Sequence, residues 1–169
     1  MFTSVAIIGR PNVGKSSLFN KLTKSRDAIV SDFPGLTKDR NYGFLNLDDN
    51  KILIIDTGGI VNESDNLKEA ISNQAWSAVE ESSFIILMLD SSENLTKDDL
   101  DILHKLRKLN KDYVIVLNKV DKKTDSLIKN DLQKEGIHSA IEISAEHSKN
   151  LSSLKSCTVS YTHLTLPTS

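Results

Sequence analysis

Gly9-Arg10-Pro11-Asn12-Val13-Gly14-Lys15-Ser16 is the stretch that decides how this chain folds. It has the spacing GxxxxGK(S/T), follows an apolar run at residues 5–8, and precedes Leu18, Phe19 and Leu22 at helical spacing. Strand, glycine-bearing loop and helix in that order make a phosphate cradle, a P-loop. Gly9 and Gly14 remove side chains so that consecutive N–H groups can wrap a phosphate, while the next helix points its positive N-terminus at the anion. Lys15 supplies a cation for the β and γ oxygens. Ser16 offers a hydroxyl to Mg2+, a hard ion that keeps most of its waters and takes few protein ligands. Arg10, Pro11, Asn12, Val13 and Ser17 complete the segment expected to bind the phosphates.

Outward from this loop, short apolar runs recur at residues 52–55, 84–89, 113–117 and 140–143, each too short for a typical helix. Between them lie helical patterns, Leu67, Ala70, Ile71, Ala75, Ala78 and Val79, then Leu100, Leu103, Leu106 and Leu109. The alternation predicts an α/β, doubly wound, mostly parallel sheet of the P-loop NTPase kind, with helices on both faces, because parallel neighbours need long crossovers. Tyr42, Phe44, Leu45 and Leu47, joined to Ile52 by a short connection, predict one antiparallel edge strand.

At 169 residues, 38% of them apolar, the chain suits one core. Twenty-one basic against 23 acidic residues leave a charge of −2, which excludes wholesale attraction to nucleic acid or anionic lipid. No apolar run approaches the ~18 residues of a membrane span. Cys157, the only cysteine, rules out an internal disulfide or a multi-cysteine metal site. With no signal pattern at the N-terminus, a cytoplasmic, monomeric protein is expected. Residues 1–155 read as the domain, with an incomplete final helix opening at Leu151 and Leu154. Residues 156–169 have no Asp, Glu, Lys or Arg and are half Ser and Thr, an atypical tail expected to be foreign to the domain.

Asp56-Thr57-Gly58-Gly59 closes the run at 52–55 and so stands at a carboxyl edge of the sheet, where open α/β folds bind ligands. Asp56 is expected to reach the metal's water shell, and Gly59 to bring an N–H to the γ-phosphate, whose loss would release the loop. In the intervening polar segment 32–40, Thr37 is the candidate for a second hydroxyl on Mg2+. Asn118-Lys119-Val120-Asp121 follows the run at 113–117 directly. A carboxylate at Asp121 can accept from guanine N1–H and its exocyclic amine, whereas adenine presents an acceptor at N1, so guanine is selected. Asn118 can reach the purine or tie two loops together, and the Lys119 stem can cover the ring. Ser144 and Ala145, after Ile143, can offer a backbone N–H to guanine O6. Trp76, within a helical pattern, is expected to be packing rather than a base platform.

In this order, GRPNVGKSSLFNKL, DFPGLTKDR, DTGGI, NKVD and ISAEH resemble the first G domain of the Der (EngA) family, translation-factor-class GTPases. The resemblance covers about residues 3 to 154 and implies GTP and GDP as ligands with Mg2+. It also implies a role in assembly of the large ribosomal subunit, and a longer protein in which a second G domain and a KH-like domain follow. The ribosome or its RNA would then be met through those other domains. One departure stands at His147-Ser148-Lys149-Asn150, where a glycine-bearing HGRG is usual.

Ile60 occupies the place where Ras-type enzymes carry a water-orienting glutamine. An isoleucine cannot hydrogen-bond water. Similar hydrophobic-substituted GTPases use K+ held partly by a P-loop asparagine, here Asn12, with Lys15, Thr37 and Gly59 as the other catalytic candidates. Arg10 and Arg40 are rival cations. Three functions follow: a GTP-hydrolysing switch, a nucleotide-gated ribosome-binding module with negligible turnover, and a P-loop ATPase or kinase, which Asn118 to Asp121 oppose.

Overall fold

The structure is a computed structural model that describes residues 3–23, 41–47, 49–58 and 66–165. Thr37, Arg40, Gly59 and Ile60 lie outside the described residues. Among the described residues six strands form one sheet: β1 (Thr3–Ile8), β2 (Asn41–Leu47), β3 (Asn50–Asp56), β4 (Phe84–Asp90), β5 (Tyr113–Asn118) and β6 (Ile141–Glu142). Their order is β2-β3-β1-β4-β5-β6. Only the β2–β3 hairpin is antiparallel, with Phe44 opposite Leu53, while the other four pairings are parallel. The doubly wound sheet with one antiparallel edge strand is therefore the architecture found.

Helices α1 (Lys15–Leu22), α2 (Asn66–Glu81), α3 (Lys97–Lys108), α4 (Ile128–Lys134) and α5 (Leu151–Thr165) cover it. Side chains alternate across a strand, so β1 feeds two cores at once. Val5 and Ile7 join Leu18, Phe19, Leu22, Leu151 and Leu154 from α1 and α5. Ala6 and Ile8 join Trp76, Val79, Leu103 and Leu106 from α2 and α3. β4 lies buried from end to end, as a central parallel strand must. Trp76 is core, 9% exposed, with the Lys105 ammonium over its ring at 4.4 Å.

Three local differences from the sequence reading have physical causes. The run at 140–143 gives a strand of two residues, because β5 pairs only with Ile141 and Glu142 before the chain turns at the Ser144–Lys149 bridge. In α3 the buried stripe is Asp99, Ile102, Leu103 and Leu106 rather than a leucine row, since Leu100 and Leu109 sit at its margins. Helix α4 spans seven residues and buries two, Ile128 and Leu132, too few to show a period in sequence.

The composition break at Ser156 is not a break in structure. α5 continues through it to Thr165, with Thr158 fully buried, its hydroxyl donating to the Leu154 carbonyl at 2.8 Å, and Tyr161 stacked on Phe84 at 4.3 Å. Among the described residues no helix is long and apolar enough to cross a membrane.

Candidate functional site

The carboxyl ends of the parallel strands β1, β3, β4, β5 and β6 lie at one edge of the sheet, and the described parts of the loops that follow them carry the site. The loop after β1 enters α1 through Gly14, whose φ of 107° and lack of a side chain both matter. A Cβ there would stand 2.2 Å from the Asn118 Nδ2 atom. Lys15 is the first residue of α1 and only 5% exposed. Its ammonium donates to the carbonyls of Gly9 at 2.9 Å and Arg10 at 2.7 Å. Burial, helped by the Arg10 charge and opposed by Asp56, brings its pKa down to about 8. A desolvated cation at a helix N-terminus is matched by an anionic ligand.

Ser16 and Asp56 meet directly, the hydroxyl donating to Oδ2 at 3.1 Å, while Oδ1 accepts from the Gly58 N–H at 3.1 Å. A hydroxyl and a carboxylate brought together beside the phosphate loop fit Mg2+, which favours oxygen donors. Thr57 plays a structural part, for its hydroxyl donates to the Ile7 carbonyl at 2.8 Å inside the sheet. Pro11, Asn12, Gly14, Lys15, Ser16, Ser17 and Gly58 line a cavity of ≈ 360 Å³.

A second cavity of ≈ 230 Å³ is lined by Gly14, Ser17, Asn118, Lys119, Asp121, Ser144 and Glu146. The two share Gly14 and Ser17, so a ligand with phosphates in the first and a base in the second would lie across the start of α1. Asn118 is 3% exposed and joins the loops: Nδ2 donates to the Val13 carbonyl at 2.8 Å, and Oδ1 accepts from the Ala145 N–H at 2.9 Å. Of the two roles open to Asn118 in the sequence, the structure has the tie. The Ala145 N–H is the other end of that tie. Val13 itself is buried in the core and contributes a carbonyl to the loop junction.

Lys119, at φ 68°, donates to the Asn12 carbonyl at 2.8 Å and pairs with Asp90 at 3.0 Å. Burial works against Asp90's charge, yet hydrogen bonds from Ser92 and Lys119 outweigh it and hold the carboxyl below its usual range. Asp121 is also held low, chiefly by the Ser144 hydroxyl and further by the His147 and Lys122 charges, so it stands ionised as a pure acceptor. His147 Nε2 lies 3.4 Å from its Oδ2.

Arg10 is not a loose catalytic cation. Its guanidinium donates to Asp99 Oδ1 and Glu93 Oε2, both at 2.8 Å, and Arg10 is not among the residues that line the phosphate cavity. Asp90, Glu93 and Asp99 escaped the sequence reading. The one local signal was Thr96 followed three residues later by Asp99, the spacing of the capping box that opens α3. Among the described residues no cluster of three or more His, Cys, Asp or Glu side chains could hold a different metal.

Fold and site together define a P-loop GTPase domain: phosphate cradle, metal-type hydroxyl and carboxylate, and a purine loop carrying an acidic acceptor, on a six-stranded mixed sheet. A family model described as 50S ribosome-binding GTPase matches residues 4–119, and the chain belongs to that family. It is 41% identical over 155 residues to GTPase Der of Stenotrophomonas maltophilia (strain K279a), which covers 91% of this chain and 33% of that protein. The chain thus spans about a third of the length of its curated relatives. Among solved structures, Aquifex aeolicus Era bound to GDP and AlF4− superimposes with a TM-score of 0.80 at 31% identity, covering 100% of this chain and 58% of that one. Era in complex with MgGDPNP and a 16S ribosomal RNA segment gives 0.79 at 32% identity, covering 99% and 58%.

Proposed function

We propose that this domain binds GTP and GDP with Mg2+ and hydrolyses GTP to GDP and phosphate as a nucleotide switch in ribosome assembly. The observation that carries the reading is Asn118, a buried side chain that clamps the phosphate loop to the loop at Ala145 and leaves Asp121 at the rim of the same cavity. A carboxylate at that place matches guanine's two neighbouring donors and mismatches adenine.

The chain's own groups act by placement. Lys15 holds the β and γ oxygens, the amides around Gly9 to Ser17 orient the phosphates, and Asp121 fixes the base. Ser16 and Asp56, with Thr37, would hold Mg2+, which when bound offsets the charge of the phosphates. In the reaction, water attacks the γ-phosphorus, the bond to the bridging oxygen breaks, and GDP leaves. The hydrophobic Ile60 calls for another positive charge, and Asn12, exposed at φ 69°, is the residue to help hold K+. The ion would stand in for an arginine finger, supplying positive charge to the transition state, a device worth about 10³ to 10⁵ in rate.

Era's occurrence with 16S RNA and the family's description support ribosomal RNA as the partner, met together with domains of the kind that fill the rest of the Der relatives. We place the work in the cytoplasm, carried by residues 1–155 as a monomer, with 156–169 as an atypical tail outside that unit. Ile60 also favours a second reading, a binding module that holds GTP without turning it over.

Competition against fluorescent mant-GDP tests the base: GTP and GDP should displace it while ATP does not, and equal displacement by ATP refutes the assignment. Phosphate release in KCl and in NaCl tests the rest. A rate raised by KCl supports the K+ reading, an equal rate removes it, and bound GTP intact after hours favours the module.

A further inference from the structure

The loop between β4 and α3, residues 91–96, belongs to none of the nucleotide motifs, yet it and its flanks touch both ends of the site. Asp90 before it holds Lys119, which reaches the Asn12 carbonyl of the phosphate loop. Glu93 within it and Asp99 beyond it grip Arg10 of that same loop. Its backbone and Asn94 also receive α4: Ser126 Oγ donates to the Glu93 carbonyl at 2.7 Å, and the Leu127 N–H donates to Asn94 Oδ1 at 2.8 Å. The Leu95 N–H donates to Asp131 at 3.1 Å.

Asp99 is the centre of this arrangement. It is 1% exposed, and its two oxygens have separate duties. Oδ2 accepts from the Thr96 N–H at 3.0 Å to close the capping box, and Oδ1 accepts from Arg10 Nε. A capping box needs only the first of these. The second sets a buried carboxylate against a guanidinium that is 18% exposed, and a buried charge left without its partner is strongly disfavoured. Arg10 is therefore held in place, and with it the Arg10 carbonyl that receives the Lys15 ammonium at 2.7 Å.

We propose that Asp99 is a positioning residue of the phosphate site: by holding Arg10 it fixes the loop that aims Lys15, and it ties nucleotide binding to α3 and α4. The inference rests on the GTP-binding reading above. Any ligand or partner that moves the start of α3 would then change nucleotide affinity, and nucleotide would reciprocally change that partner's affinity.

The test is mant-GDP affinity, with thermal unfolding alongside, for Arg10→Gln, Arg10→Lys, Asp99→Asn and the Arg10→Gln/Asp99→Asn double variant. Asp99→Asn keeps an oxygen for the Thr96 N–H, so the cap survives. Each neutralising single variant should bind about tenfold more weakly, and the double variant no more weakly than either, because the two residues act as one unit. Arg10→Lys should recover most of the loss. Affinities within twofold of wild type in folded single variants, or losses that multiply in the double, overturn the proposal. Should Asp99→Asn not fold, Arg10→Lys binding no better than Arg10→Gln overturns it as well. Failure of the wild-type chain to bind mant-GDP at all would instead sink the reading of the site.

Discussion

Asn118 and Val13 are 105 residues apart in the chain and 2.8 Å apart in space, the carboxamide nitrogen of one donating to the carbonyl of the other. The same carboxamide accepts from Ala145. Replacing Asn118 by Ala leaves a buried carbonyl and a buried N–H without partners, and each such loss costs about 1–3 kcal/mol. We expect a lowered melting temperature and at least a tenfold weaker affinity for GDP, read by thermal unfolding and mant-GDP titration. Wild-type affinity in a folded variant would show that the tie does not shape the nucleotide site.

Asp121 presents two acceptors to a base, and Asp121→Asn turns one of them into a donor. Guanine then loses one charge-assisted hydrogen bond and meets donor against donor at the other, a change of about 3 kcal/mol or roughly a hundredfold in Kd. Xanthine carries a carbonyl where guanine has its amine, so the variant should prefer xanthine nucleotides. Competition titrations with GDP and XDP check this, and an unchanged preference for GDP places the base elsewhere.

The parts legible in the sequence were those whose signal is local. Residues 5–22 carry strand, loop and helix in one continuous stretch, so the phosphate end could be read without knowing the fold. The run at 84–89 is apolar on both faces and could only be a central strand. What escaped was long-range pairing: nothing near Arg10 announces Asp99, 89 residues on. Thr57 reads like part of a ligand loop, but its hydroxyl is used inside the sheet. Nor did composition reveal that α5 runs on past Ser156, where Thr158 bonds back to Leu154 and Tyr161 stacks on Phe84.

Ser148 and Asn150 adopt φ of 54° and 62°, the left-handed region, at the two places where the related motif has glycine. Asn tolerates that region, and Asn150 is further held by its Nδ2 donating to the Glu142 carbonyl at 2.8 Å. Ser148 has no such affinity for it. Ser148→Gly should therefore stabilise the protein by about 0.5–1 kcal/mol after the added chain entropy of glycine is counted. Thermal unfolding checks the sign, and a lower melting temperature would mean that Ser148 is not under strain.

Lys15 gives the site a pH dependence whose sign can be worked out. Burial first, and the Arg10 charge after it, set its pKa at about 8 in the free protein, below the ordinary 10.5. Bound phosphates favour the ammonium and raise that value, so nucleotide binding takes up a proton at any pH between the free and the bound pKa. GDP affinity should be level up to about pH 8 and then fall, approaching tenfold per pH unit. In the free protein the sign is opposite. Between about pH 8 and 10.5 the unfolded chain holds the Lys15 proton more tightly than the folded one, so this group's contribution to folding stability rises with pH. Calorimetric titration of GDP from pH 7 to 10, with Lys15→Gln as the reference, separates the two effects. A lysine-dependent slope should vanish in that variant, and a slope that persists there assigns the titration to another group.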